Sequence, residues 1–352
     1  MNRWPATRRR RAPSGSALVA VLIIAACGGS PTLTPPGGTP SLVPSPAPTT
    51  TAGAPSASPG PSARSPGHPT PTPSPGALEG VGPLVIARDE ADDRSLWVSN
   101  PGAPASRRRV ALPTGSWLPT AVSQRGHLAA TALAGPPVLL VGTLDGALLS
   151  GPVRHALPAR WVAGGERPVW PSCVSSAGDT VLADGVGSLH LVRADGTTGE
   201  LVTDGAFGAC AWLDARRFVY ELDLSHRLAV WSATGSPTIS SIVGNGPSVG
   251  GGYLATVTGA PPIQAVEMRG ATSVTGSAAS AASPLVARIE LESGTTINRA
   301  LLSGDGRWLA IWGSDGEGAW IALYRQLSGT FVAAGRVGLA AGELPLAVLP
   351  GA

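Results

Sequence analysis

Leu301-Leu302-Ser303-Gly304-Asp305-Gly306-Arg307-Trp308-Leu309-Ala310-Ile311 decides the fold of this chain. A short apolar strand enters a Ser-x-Asp-Gly turn and leaves as a second apolar strand, which is the chemistry of a tight β-hairpin. Weaker copies lie upstream at Val122-Ser123-Gln124-Arg125-Gly126-His127-Leu128-Ala129, at Val174-Ser175-Ser176-Ala177-Gly178-Asp179-Thr180-Val181-Leu182-Ala183, and at Trp212-Leu213-Asp214-Ala215-Arg216-Arg217-Phe218-Val219-Tyr220. A degenerate copy surrounds Gly250-Gly251-Gly252-Tyr253-Leu254-Ala255. Third apolar runs recur at the same spacing, at Leu96-Trp97-Val98, Val138-Leu139-Leu140-Val141, Leu189-His190-Leu191-Val192, Leu228-Ala229-Val230-Trp231, Gln264-Ala265-Val266 and Trp320-Ile321-Ala322-Leu323. Turn pairs such as Asp145-Gly146 and Asp195-Gly196 then open fourth strands.

Repeats of about 40 to 50 residues with four strands each are the signature of a β-propeller. Residues 78–352, about 275 in all, hold six such blades at that period. The fold class expected is therefore all-β, a six-bladed propeller of four-stranded blades. Blade one opens on its second strand, Leu84-Val85-Ile86-Ala87, and Leu346-Ala347-Val348-Leu349-Pro350-Gly351 has the form of an inner strand. The carboxyl-terminal segment is thus expected to complete blade one and to close the circle without a free sheet edge. Blade five is the weakest copy, and Ser277 to Ser283 reads as an insertion or long loop.

The Ser-x-Asp-Gly hairpins resemble the repeats of TolB-like and WD40-like bacterial propellers over most of residues 80–352, with the last copy the sharpest. That resemblance implies a fold rather than an activity, because propellers host many unrelated functions.

Composition agrees with many short strands. Gly (47) and Pro (35) approach a quarter of the 352 residues, and charged residues are only 13%. Such a chain disfavours long helices. The formal charge of +3 is misleading, because five of the 25 basic residues, Arg3 and Arg8 to Arg11, precede Cys27 and no acidic residue does. Without them 20 basic residues face 22 acidic ones. No general attraction for nucleic acid follows from that balance. The absence of lysine excludes Walker-type phosphate loops and Schiff-base chemistry.

Arg8-Arg9-Arg10-Arg11 and the 11 apolar or small residues from Ser16 to Ala26 have the pattern of a secretory signal, too short to span a bilayer as a helix. The ending Ile24-Ala25-Ala26-Cys27 resembles the lipobox of bacterial lipoproteins. That resemblance implies diacylglyceryl transfer to the Cys27 thiol, cleavage before it and acylation of the new amino terminus. Two acyl chains, at about 0.8 kcal/mol per buried CH₂, anchor far better than one. An ordinary signal peptide with an incidental cysteine is the alternative. No aspartate directly follows Cys27, so the choice between inner and outer membrane stays open.

Residues 28–76 are nearly all Pro, Ser, Thr, Ala and Gly, with 15 of the 35 prolines, and Arg64 is their one formal charge. Nothing there offsets the entropy of folding, so a disordered stalk is expected, reaching on the order of 150 Å if fully extended. Filler of no selected length is the bland alternative. The domains expected are a signal peptide (1–26), a lipid-anchored linker (27–77) and a propeller (78–352).

Cys173 and Cys210 remain once Cys27 is assigned to the anchor, and an exported chain meets oxidising conditions. Superposing Val181 on Phe218 superposes Cys173 on Cys210, so a disulfide between matching positions of neighbouring blades is expected, with two buried free thiols as the alternative. The histidines His127, His155, His190 and His226 show no metal-ligand spacing. Neither a nucleophile elbow nor a metalloprotease motif is present. Catalytic residues, metals and cofactors are accordingly not expected. Most tryptophans should pack blades, whereas Trp117, Trp161 and Trp170 lie nearer to loops, where aromatic faces could meet sugars or peptides.

The leading expectation is a non-enzymatic lipoprotein on the extracytoplasmic face of the cell membrane, its propeller binding or scaffolding a protein, peptide or glycan. The rival is an extracytoplasmic glycan lyase or hydrolase with its site in the propeller mouth. The sequence sets neither the ligand nor the oligomeric state.

Overall fold

The computed structural model describes residues 82–90, 94–161, 169–184, 187–201, 206–222, 225–233, 235–261, 263–275 and 284–351. All fall within the compact unit Ser62–Ala352. The lipobox with Cys27, the stalk and the Ser277 to Ser283 stretch lie outside the described residues.

Among the described residues, twenty-four strands form six four-stranded antiparallel sheets. Blade one contains β1 (Leu84–Asp89), β2 (Leu96–Asn100) and β3 (Ala103–Arg109). Blade two runs through β4 (Trp117–Val122), β5 (His127–Ala132), β6 (Val138–Asp145) and β7 (Leu148–Ala156). Blade three is β8 (Trp170–Val174), β9 (Thr180–Ala183), β10 (Leu189–Val192) and β11 (Thr198–Leu201). Blade four is β12 (Ala206–Trp212), β13 (Arg217–Leu222), β14 (Arg227–Ser232) and β15 (Gly235–Val243). Blade five is β16 (Asn245–Gly250), β17 (Tyr253–Ala260), β18 (Ile263–Gly270) and β19 (Leu285–Glu290). Blade six is β20 (Thr296–Leu302), β21 (Trp308–Asp315), β22 (Gly318–Leu327) and β23 (Thr330–Gly338), and β24 (Glu343–Leu349) follows it.

β24 pairs antiparallel with β1, Leu84 opposite Leu349 and Val85 opposite Val348, so the carboxyl-terminal segment supplies the inner strand of blade one. Blade five, the least legible in sequence, is a regular four-stranded sheet with Val257 opposite Val266. Arg107 to Arg109 end the outer strand of blade one, and Arg107 stacks 4.4 Å over Trp97. Charge on an outer strand discourages edge-to-edge pairing.

The turns explain why the repeat is legible. Ser123, Ser175 and Ser303 are buried, at 5%, 2% and 0% exposure. Their hydroxyl oxygens accept from the backbone N–H of His127 (2.9 Å), Asp179 (3.0 Å) and Trp308 (2.9 Å), respectively. A hydroxyl that replaces a backbone partner in this way fixes a short turn. Three residues after each serine stands a glycine in the left-handed region, Gly126 (φ 81°), Gly178 (φ 93°) and Gly306 (φ 69°). Residues bearing a Cβ seldom adopt that conformation.

The core is distributed rather than central. Six apolar clusters occupy the six gaps between neighbouring blades. The gap between blades six and one, which closes the ring, is filled by Val85, Leu301, Ala310, Ile321, Leu323 and Val348. Every blade therefore depends on both neighbours, as quasi-one-dimensional repeats do.

Candidate functional site: the axial channel

The six innermost strands, β4, β8, β12, β16, β20 and β24, stand side by side around one cavity of about 140 Å³. Each carries a register irregularity against its second strand, between Pro119 and Ala121, Pro171 and Cys173, Ala206 and Cys210, Asn245 and Ser248, and Ile297 and Arg299, with the sixth opposite Ile86 and Ala87. Bulges redirect side chains and sharpen twist. Reading by strict alternation could not foresee them, although the recurrent Pro119-Thr120, Pro171-Ser172 and Pro247-Ser248 mark three of the sites.

Several polar groups of the wall join the blades. Thr120 donates to the Pro171 carbonyl (2.6 Å), and the Leu302 N–H donates to Ser248 Oγ (2.9 Å). Cys173 and Cys210 lie on the same wall, disulfide-bonded with Cα atoms 5.5 Å apart. Their strand positions differ from the sequence expectation. Val174 pairs with Thr180 and Trp212 with Phe218 just before the turns, so Ala211 is the equivalent of Cys173, and Cys210 stands one residue earlier. The one-residue offset arises because Leu213 takes the place of the turn serine in blade four.

Among the described lining residues only Asp214 and Arg299 are charged. Asp214 is engaged: one oxygen accepts from the Arg216 N–H (2.8 Å) and the other from Arg217 Nε (2.7 Å). Partial burial pushes its carboxyl pKa up, but the bonds from Arg217 and Arg216 outweigh burial and hold it below the ordinary value. Arg299 has no hydrogen-bond acceptor and no carboxylate partner among the described residues. Burial alone acts on its guanidinium and lowers its pKa. Sequence reading did not single it out. Counted back four places from the turn serine, Arg299 stands where blades two and three have Pro119 and Pro171. Aligning the turn serines would have exposed the departure.

The three candidate aromatics lie elsewhere. Trp117 is 8% exposed, its Nε1 donates to the Pro113 carbonyl (3.0 Å) and Arg154 covers its ring at 5.3 Å. Trp161 is 7% exposed and stacks on His190 with ring centroids 4.4 Å apart. Trp170 is half-buried against the cluster between blades three and four. None of the three lines the channel. Trp117 does border a separate cleft of about 590 Å³ that also meets Arg94 and Arg109.

No group of three or more His, Cys, Asp or Glu side chains converges on a metal-sized point among the described residues. Two histidine–carboxylate pairs occur among the described residues. His190 Nε2 meets Asp184 at 3.2 Å, and His226 Nδ1 meets the buried Glu221 at 2.5 Å beside a cleft of about 360 Å³.

Six blades, a closed ring and a cation-bearing axial cavity define the protein as a six-bladed β-propeller. No protein-family model matches the chain, and no curated protein matches it. Solved structures of similar architecture include TolB from Acinetobacter baumannii, at 13% identity over 78% of this chain and 67% of that one, with a TM-score of 0.45. A putative 6-phosphogluconolactonase from Bacteroides uniformis matches at 12% identity over 73% of this chain and 83% of its own, TM-score 0.43. YCF48 bound to D1 peptide matches at 13% identity over 77% and 88%, TM-score 0.42. The likeness is one of strand arrangement, and no ligand or reaction transfers with it.

Proposed function

We propose that the protein is a lipid-anchored, extracytoplasmic binding or scaffold module, tethered through Cys27, whose propeller recognises a protein, peptide or glycan. One observation carries the binding role. The axial wall presents an unpaired cation, Arg299, while its one described carboxylate, Asp214, is held by Arg217 and so is poorly placed to act as a base. A cavity that offers a donor and withholds a base favours retention of a ligand over its conversion. The lipobox residues support the tether, and the proline-rich stalk supports presentation of the propeller away from lipid.

Two experiments test this reading. Metabolic labelling with a palmitate analogue should mark the wild-type chain and not Cys27→Ala; equal labelling of both would refute the anchor. Cross-linking intact cells should then recover a stable partner.

The enzymatic alternative has one observation in its favour, the Glu221–His226 pair beside the cleft that Glu267 also lines. Glu267 is occupied by Arg269 (2.8 Å) and Arg288 (2.6 Å), so among the described residues the cleft contributes no second carboxylate without an ion pair. Glycan hydrolysis by the purified chain that disappears in His226→Ala would establish the alternative.

A further inference from the structure

We propose that the axial channel is a carboxylate-binding site, in which Arg299 receives one carboxylate from a chain terminus or an acidic side chain of a protein partner. The inference rests on the binding-module reading and names the ligand chemistry of the same site.

Three features converge on Arg299. Its guanidinium belongs to a half-buried side chain on the cavity wall and has no acceptor among the described residues, so its donors remain available to a ligand. It replaces Pro119 and Pro171 at its place in the repeat, so nothing in the strand's own construction asks for a cation there. It also adjoins the bulge after Ile297, a backbone device that re-aims a side chain. Two further wall residues carry polar groups without a partner, Ser172 at Oγ and Trp212 at Nε1.

Charge and size choose the ligand. The described wall has one uncompensated positive charge, because Asp214 and Arg217 neutralise each other. A carboxylate matches that single charge and accepts two parallel bonds from the guanidinium fork. Phosphate near neutral pH carries more negative charge than this wall can compensate, and the excess would be left buried. The cavity of about 140 Å³ has roughly ten times the room that one water needs, which suits the end of a side chain or of a peptide.

The test uses the full chain purified in detergent, with affinities measured by calorimetry. The probes are N-acetyl-Ala-Ala with a free carboxylate, the same peptide as its carboxamide, acetate, and inorganic phosphate. The free-carboxylate peptide is expected to bind saturably, with affinity about tenfold or more weaker for the carboxamide and for Arg299→Met, whereas Arg299→Lys keeps measurable binding. The comparison of carboxylate with carboxamide is made on the wild-type chain and so does not depend on how a variant folds. Equal binding of the two peptides, unchanged binding in Arg299→Met, or no binding by any probe would overturn the assignment. Tighter binding of phosphate would overturn the choice of carboxylate, and acetate binding as tightly as the peptide would overturn the protein source. Recovery of a cross-linked partner from cells despite such a result would leave the binding module standing and remove only the channel as its seat.

Discussion

Cys173 and Cys210 are covalently joined across blades three and four, with Cα atoms 5.5 Å apart, although they do not occupy equivalent positions of their strands. The bulge between Pro171 and Cys173 and the one-residue stagger bring two backbones of neighbouring blades within the span a disulfide can bridge. The bond closes a loop with a sequence separation of 37. By loop-entropy arithmetic it contributes about 4 kcal/mol. Urea unfolding of the Cys173→Ala/Cys210→Ala chain should show a loss of that order relative to the oxidised wild type, and an unchanged midpoint would refute the estimate.

Ring closure makes a second prediction. Leu346, Ala347 and Val348 of β24 are 8%, 7% and 1% exposed and fill the gaps on both sides of blade one. A chain truncated after Ala341 loses them and leaves β1 as an open inner edge. Such a chain should show no cooperative thermal transition and should aggregate. A truncated protein that melted like the full chain would contradict the closure.

Acidification should weaken the fold through His127. Burial, and secondarily the nearby Arg125, hold its pKa below the ordinary 6.5, and its Nδ1 is buried without a partner. The unfolded chain therefore takes up the proton first as pH falls. Stability from the neutral imidazole is complete above pH 6.5 and declines below it, towards the folded-state pKa. Comparing urea midpoints at about pH 7.5 and about pH 5.5 should show a smaller drop for His127→Gln than for the wild type.

The propeller was legible because its turns are chemically explicit. Ser303, Asp305 and Gly306 announce a hairpin through hydroxyl and carboxylate bonds to local N–H groups, and Ser123 and Ser175 repeat the serine part of that chemistry. The third strands from Leu96 to Leu323 followed from apolar runs at blade spacing. The closure by β24 followed from a strand that lacked any other partner. What sequence missed depends on three dimensions. Trp117 and Trp161 read as loop aromatics, yet Arg154 and His190 cover them through contacts that no local pattern encodes. Arg299 is one arginine among many in one dimension, and its isolation emerges only when six bulged strands enclose it.

An isolated cation kept for binding should cost stability. Arg299→Met removes a partly desolvated charge and retains a flexible apolar side chain in its place. The variant is expected to be more stable by at most about 1 kcal/mol at neutral pH, because the half-buried guanidinium keeps contact with water in the channel. Differential scanning calorimetry checks the sign, because a lower melting temperature would mean that Arg299 serves packing instead.

The most direct test of a tethered module that binds through its channel is cross-linking in intact cells that express the full chain as wild type or as Arg299→Met, followed by mass spectrometry of the recovered partners. The account predicts a partner whose cross-links fall near the channel mouth, at turn residues such as Gln124 and Ser176, and which is lost from Arg299→Met at equal abundance. Recovery of no partner with the wild type, or of the same partner in the same yield with both chains, would contradict it.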